Sequence, residues 1–244
     1  MAIRPFLAMT AAEIRGAQTL PAKIAWMACH FSPYSTGLSN LPKKLPPGSM
    51  VILDDITPIH GHDPQVIAHQ LLTRLETLKY SAVLLDFQRP GFEEAATLAE
   101  HLSEALPCPV GVSPLYGKGL KGPVFLPPVP PDTSLSDYLS PWKGREIWLE
   151  LALEGETIVL TSAGVKVSSL PAAAQFADGY RDAHLHCHYR IQTEENQARF
   201  TLLRTPEDLT ELLSEGETQG VTLAVGLYQQ LQGASQFREK TDHE

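Results

Sequence analysis

The chain is short of several things, and each shortage removes a class of function. Its three cysteines, Cys29, Cys108 and Cys187, are isolated and odd in number, which excludes a disulfide framework and a cysteine-built zinc knuckle. No apolar run reaches the ~18 residues of a membrane-spanning helix. The stretch Met1–Met9 carries too short an apolar run for a secretory signal, so a cytoplasmic protein is expected. Basic clusters are missing too. Lys and Arg number 19 against 28 Asp and Glu, and this net charge of −9 argues against a sequence-independent grip on nucleic-acid phosphates. No glycine-rich phosphate loop follows an early strand, and Lys118–Gly122 lacks that motif's spacing and reads as a turn. There is neither an internal repeat nor a low-complexity segment.

What remains suffices for a full core. At 244 residues and 43% hydrophobic, the chain can form one α/β barrel or one doubly wound domain. Buried strands are read near residues 5, 25, 51, 83, 110, 124, 147 and 223. Between them lie helical patterns. Thr10 and Glu13 have capping-box spacing. Pro64 to Lys79 places Ile67, Leu71, Leu75 and Leu78 on one face, and Phe92, Ala95, Ala99, Leu102 and Leu106 repeat at helical spacing. Leu135 to Leu139 reads as a helical turn, Pro206 to Glu217 as an acidic surface helix, and Ser32 to Gly48 as a long irregular loop.

The rhythm changes after the seventh strand. Thr157–Val167 reads as one antiparallel hairpin, and Ala183–Ile191 with Ala198–Arg204 as a second. The pattern therefore predicts a compact α/β fold, a (β/α)₈ TIM-like barrel over residues 1–232. An antiparallel insertion of about residues 155–205 separates strands seven and eight, and 233–244 form a polar tail. A doubly wound sheet is the competitor, and the missing phosphate loop counts against it.

In a parallel barrel, chemistry belongs at the C-terminal ends of the strands. The fourth strand, Tyr80–Asp86, delivers Asp86 there, a carboxylate costly to bury unless used or bonded. The third ends on Asp54 and Asp55, which face opposite ways, so one of them reaches the mouth and the other caps the following loop. Asp86 with Asp54 or Asp55 would supply the paired carboxylates of an acid/base glycosidase. His30, with Phe31 and Tyr34, follows strand two and suits a sugar-binding wall. Glu150 and Glu154, at the end of strand seven, face either the site or solvent. Trp26, Trp142 and Trp148 read as core. His60-Gly61-His62-Asp63 looks metal-like, although Asp63-Pro64 also simply starts a helix. His184, His186 and His188 alternate and would share one strand face, either the polar side of a hairpin or a metal site lacking a fourth ligand.

A barrel with an α+β insertion between strands seven and eight resembles the chitinase-like glycoside hydrolases of family 18. That family carries Asp-Gly-x-Asp-x-Asp-x-Glu on its fourth strand. Laid on the motif, Ser81-Ala82-Val83-Leu84-Leu85-Asp86-Phe87-Gln88 keeps the last aspartate and an aromatic after it. The first two aspartates fall on Ser81 and Leu84, and the catalytic glutamate falls on Gln88. The resemblance implies a carbohydrate site holding Asp86 and Gln88, with Tyr228 in place of the aromatic that floors the sugar. Gln88 can hold a sugar but has no proton to give, so the family's own acid is missing.

Three readings follow. One is a glycosidase that uses Asp86 with Asp54 or Asp55. Another is a non-catalytic glycan-binding or scaffold protein in which Gln88 marks the lost acid. The third is a metal-dependent hydrolase built on the histidines. No cofactor is implied. The expected partner is a small molecule or an oligosaccharide, not nucleic acid or membrane, and the sequence sets no oligomeric state.

Overall fold

Alternation along eight short apolar runs decides the architecture. One row of side chains in each run meets the rows of the other seven, and the opposite row meets helices. The computed structural model describes residues 3–170 and 179–232. The expected tail, 233–244, lies outside the described residues.

In chain order the first eight strands are β1 (Phe6–Met9), β2 (Ile24–Phe31), β3 (Leu38–Ser39), β4 (Met50–Asp54), β5 (Ala82–Asp86), β6 (Val110–Val112), β7 (Val124–Leu126) and β8 (Ile147–Leu151). All but β3 are parallel members of a barrel whose eighth barrel strand is β14 (Val221–Leu227). Closure is direct, because β1 pairs in parallel with both β2 and β14. Strand β3 is an antiparallel flap on the end of β2. The eight expected strands and the TIM-like closure are therefore both present.

Helices wrap the outside: α1 (Ala11–Gly16), α2 (Pro64–Leu78), α3 (Glu93–Ala105), α4 (Pro114–Gly117), α5 (Leu135–Leu139), α6 (Pro206–Thr218) and α7 (Tyr228–Leu231). Their starts follow from local chemistry. Thr10 and Glu13 form the capping box that their spacing predicts, and Thr205 with Asp208 forms a second one at α6. Asp63 caps α2 through the Gln65 amide at 2.9 Å. Ile67 and Leu71 of α2 and Ala95, Leu98, Ala99 and Leu102 of α3 are buried against the outward rows of β4, β5 and β6. On the other side, Leu209, Leu212 and Leu213 of α6 cover β7, β8 and β14.

The inner rows pack as a small, separate core. Phe6, Ala8, Ala25, Met50, Ile52, Ala82, Leu84, Phe125, Trp148 and Val225 fill the barrel. Trp148 takes the room that Gly111 leaves open, since a Cβ on Gly111 would lie 2.2 Å from the indole ring. Trp148 is thus core, as expected. Trp26 and Trp142 are partly buried against the outer layers.

Between β8 and α6 lies a five-stranded antiparallel sheet of β9 (Gly155–Thr161), β10 (Gly164–Leu170), β11 (Tyr180–Asp182), β12 (Cys187–Glu194) and β13 (Gln197–Leu203). The two expected hairpins join edge to edge through β13 and β9, giving the order β10-β9-β13-β12-β11. Buried Arg204 fastens the sheet to the barrel. Its guanidinium donates to the carbonyls of Leu185 and His186 and to those of Val129 and Pro130, beyond β7.

One expectation here needs correction. The histidines do not alternate along a strand face, because 183–186 form a turn. The Asp182 carboxylate accepts from the amides of His184 and Leu185 at 2.9 and 3.1 Å, and His186 has φ 47°. His184 is exposed, His186 bonds Glu215 at 2.8 Å, and His188 bonds Asp208 at 3.0 Å.

Candidate active site

The inner rows end in carboxylates. Met50, Ile52 and Asp54 follow one another inward on β4, as do Ala82, Leu84 and Asp86 on β5, and Trp148 and Glu150 on β8. Above the packed layers they leave a cavity of about 350 Å³ at the C-terminal mouth. Asp54, Asp55, Asp86, Gln88, Arg89 and Glu150 line it with polar groups, and Phe125 and Leu227 are among the apolar ones.

Asp54 is held from two sides. His30 Nδ1 lies 2.8 Å from its carboxylate, and the Ile56 amide donates to Oδ1 at 3.1 Å. His30 reaches it through an irregularity in β2. Between Trp26 and Cys29 the register with β4 shifts by one residue, so Cys29 packs outward and His30 faces Asp54. By strict alternation from Ala25 and Met27, His30 would have faced the helices.

Asp55 points elsewhere. Its two oxygens accept from the backbone amides of Gln88 and Arg89 at 3.1 and 2.9 Å. The Ser113 hydroxyl adds a bond to the Phe87 carbonyl at 2.6 Å, and the Tyr116 hydroxyl bonds the Arg89 carbonyl. The segment after β5 is therefore pinned along its backbone, and this presents Gln88 at the mouth. Phe87 itself is fully buried outside the barrel, against Phe31 and Tyr116.

Gln88 Nε2 donates to Asp86 Oδ1. Burial pushes the Asp86 carboxyl above its ordinary value; the Gln88 bond opposes this, and the charges of Asp54 and Asp55 reinforce it. Glu150 is displaced further. Burial, then Asp86 and Glu154, push its carboxyl up to about 7. No hydrogen bond or ion pair from the described residues holds Glu150 in its charged form.

The structure thus brings together Asp86, Asp54, Asp55 and Gln88, with His30 behind Asp54. Tyr34 and Tyr228 stand apart from the cavity. Tyr34 is 96% exposed, and Tyr228 opens α7 and packs against the outer layer beside Leu231. Of the two positions open to Glu150, site or solvent, the structure shows the site, and its inward parity with Trp148 is the signal for it.

The histidine pair after β4 is engaged by protein atoms. His62 Nδ1 and Nε2 contact the carbonyls of Ile59 and Ser32 at 2.8 and 3.0 Å, and His60 contacts Glu94. Among the described residues no group of three His, Cys, Asp or Glu side chains is arranged to hold a metal ion.

Two of the solved structures similar to this chain share its barrel. The spore cortex-lytic enzyme SleL of Bacillus cereus superposes with a TM-score of 0.55 at 10% identity, over 92% of this chain and 70% of that one. A chitinase from Chromobacterium violaceum superposes with a TM-score of 0.52 at 10% identity, over 91% of this chain and 93% of that one. At this identity the likeness is one of fold. No protein-family model matches the chain, and no curated protein matches it in sequence.

Proposed function

We propose that this protein is a glycoside-hydrolase-like barrel that binds an oligosaccharide across its C-terminal mouth. The observation that carries the reading is the convergence of Asp54, Asp86, Glu150 and Gln88 on one cavity of about 350 Å³. That volume is within the ~300–1,000 Å³ of ordinary ligand pockets. Adjacent sugar hydroxyls are donors and acceptors at once. Carboxylates accept hydrogen bonds from them, and an amide N–H donates to their lone pairs.

Asp86 and Gln88 make one such pair, and Asp54, oriented by His30 from behind, adds a further acceptor. Asp55 acts as a positioning residue for the segment that carries Gln88. The reading draws further support from the barrel shared with a cortex-lytic enzyme and a chitinase. A non-catalytic, glycan-binding role is the second reading, and it is favoured by Gln88 standing where the family-18 motif carries its acid.

A thermal-shift screen with oligomers of N-acetylglucosamine, glucose and mannose tests binding, because a ligand of the native state raises the melting temperature. Stabilisation of the wild type by one of these, lost in Asp86→Ala, supports the mouth as the site. Equal stabilisation of both proteins places the ligand elsewhere. Hydrolysis of the stabilising oligomer separates the two readings.

A further inference from the structure

Gln88 leaves the mouth with a sugar-holding amide but no acid at that position. The acid can come from the opposite wall. We propose that Glu150 is the proton donor of this site, acting on the glycosidic oxygen of a glycoside held by Asp86 and Gln88. The inference rests on the carbohydrate reading and deepens it.

Glu150 stands on the seventh barrel strand, in the inward row directly above Trp148, and it lines the same cavity as Asp86 on the fourth. A substrate lying across the mouth meets both. The groups around Glu150 favour the acid form. Asp86 faces it from β5 and Glu154 from beyond β8, and both repel the carboxylate. Tyr138 of α5 feels the charge of Glu150, and burial together with that charge pushes its own hydroxyl up to about 12, so it stays neutral. Asp54 and Asp55, from β4 and its loop, line the same cavity and act on Asp86. Among the described residues the cation that lines the cavity, Arg89, is turned to the Ile56 carbonyl. With its carboxyl pushed to about 7, Glu150 is substantially protonated at neutral pH.

The step balances without any further reagent. Glu150 gives its proton to the glycosidic oxygen, the bond from that oxygen to the anomeric carbon breaks, and the bonding pair leaves with the oxygen. Water adds to the anomeric carbon and passes one proton to the Asp86 carboxylate. That proton returns through solvent to Glu150. One acetal bond and one water become two hydroxyl groups.

The test compares wild type, Glu150→Gln and Asp86→Ala. The probes are N-acetylglucosamine, glucose and mannose oligomers, together with 2,4-dinitrophenyl glycosides of the same sugars. A dinitrophenolate leaves without protonation, whereas a sugar alcohol does not. The expected result is that Glu150→Gln loses about 10²–10⁴-fold on the oligomer and far less on the activated glycoside. It should still be stabilised by the oligomer in a thermal shift, and wild-type turnover should fall as pH rises past about 7.

Equal losses of Glu150→Gln on both substrates, or wild-type rates in that variant, overturn the role of Glu150. A wild type that binds an oligomer and cleaves none overturns it too, leaving the binding reading intact. A wild type that is neither stabilised by nor active on any probe sinks both.

Discussion

Asp54 and Asp86 are register partners on neighbouring parallel strands, each the last residue of its strand and each in the row that faces the barrel interior. Like charges in that relation repel and are unfavourable. They are held there by donors, His30 and the Ile56 amide on Asp54 and the Gln88 amide on Asp86. Asp54→Asn removes one of the charges that raise the Asp86 carboxyl. The pKa of Asp86, followed by carboxyl-carbon NMR, should fall in that variant. No change would mean that the Asp54 charge does not reach Asp86.

Glu150 makes stability depend on pH. Its carboxyl holds a proton more tightly in the folded chain, at about 7, than at the ordinary value of 4.5 that applies when unfolded. Below the ordinary value both states are protonated and the group costs nothing. Stability then falls as pH climbs from there to about 7 and levels off beyond it. The loss near pH 8 should be about 1–3 kcal/mol. Glu150→Gln should recover it, raising the melting temperature near pH 8 and leaving it unchanged near pH 4. An equal gain at both pH values would trace the effect to packing instead.

Asp55 joins the ends of β4 and β5 by accepting from two backbone amides. Asp55→Ala leaves both amides without that carboxylate, and about 1–3 kcal/mol of stability should be lost in urea denaturation. Glycan affinity should weaken as well, since the segment that carries Gln88 loosens. Unchanged stability would show that water replaces the carboxylate.

Gly111 and Trp148 form a fitted pair inside the barrel. Gly111→Ala should cost about 1–3 kcal/mol by overpacking. Adding Trp148→Leu should return part of that, a coupling of about 0.5–3 kcal/mol in a double-mutant cycle. Simple additivity of the two changes would count against this contact.

Arg204 ties the inserted sheet to the segment after β7 through four backbone carbonyls. Arg204→Met keeps much of the bulk and removes every donor. Roughly 2–4 kcal/mol should be lost, with strands β9 to β13 gaining hydrogen-exchange rate before the barrel strands do. Uniform exchange over both sheets would mean that the insertion and barrel unfold together.

The barrel was legible because its strands are short apolar runs separated by breakers, a pattern carried entirely by local sequence. Parity resolves the site in part. Met50 and Ile52 select Asp54 over Asp55 for the interior, and Trp148 selects Glu150 in the same way. Other features depend on contacts between distant segments. The shift in β2 that turns His30 inward is a response to pairing with β4. The junction of β9 with β13 unites two hairpins that each look complete alone. The turn at His184–His186 was hidden because Asp182 supplies bonds to its amides, which alternation does not register. Tyr228 ends an apolar run, yet the chain bends into α7 there and carries the ring to the outer layer.

The central claim, a glycan at the barrel mouth, is tested most directly by methyl NMR of isoleucine and leucine during titration with N-acetylglucosamine, glucose or mannose oligomers. Ile52, Ile56, Leu84 and Leu227 line the mouth, whereas Ile158 and Ile191 lie in the inserted sheet. The account predicts saturable shifts in the first group and none in the second, with the response abolished in Asp86→Ala. Shifts confined to Ile158 and Ile191, or a mouth that stays silent with every oligomer, would contradict it.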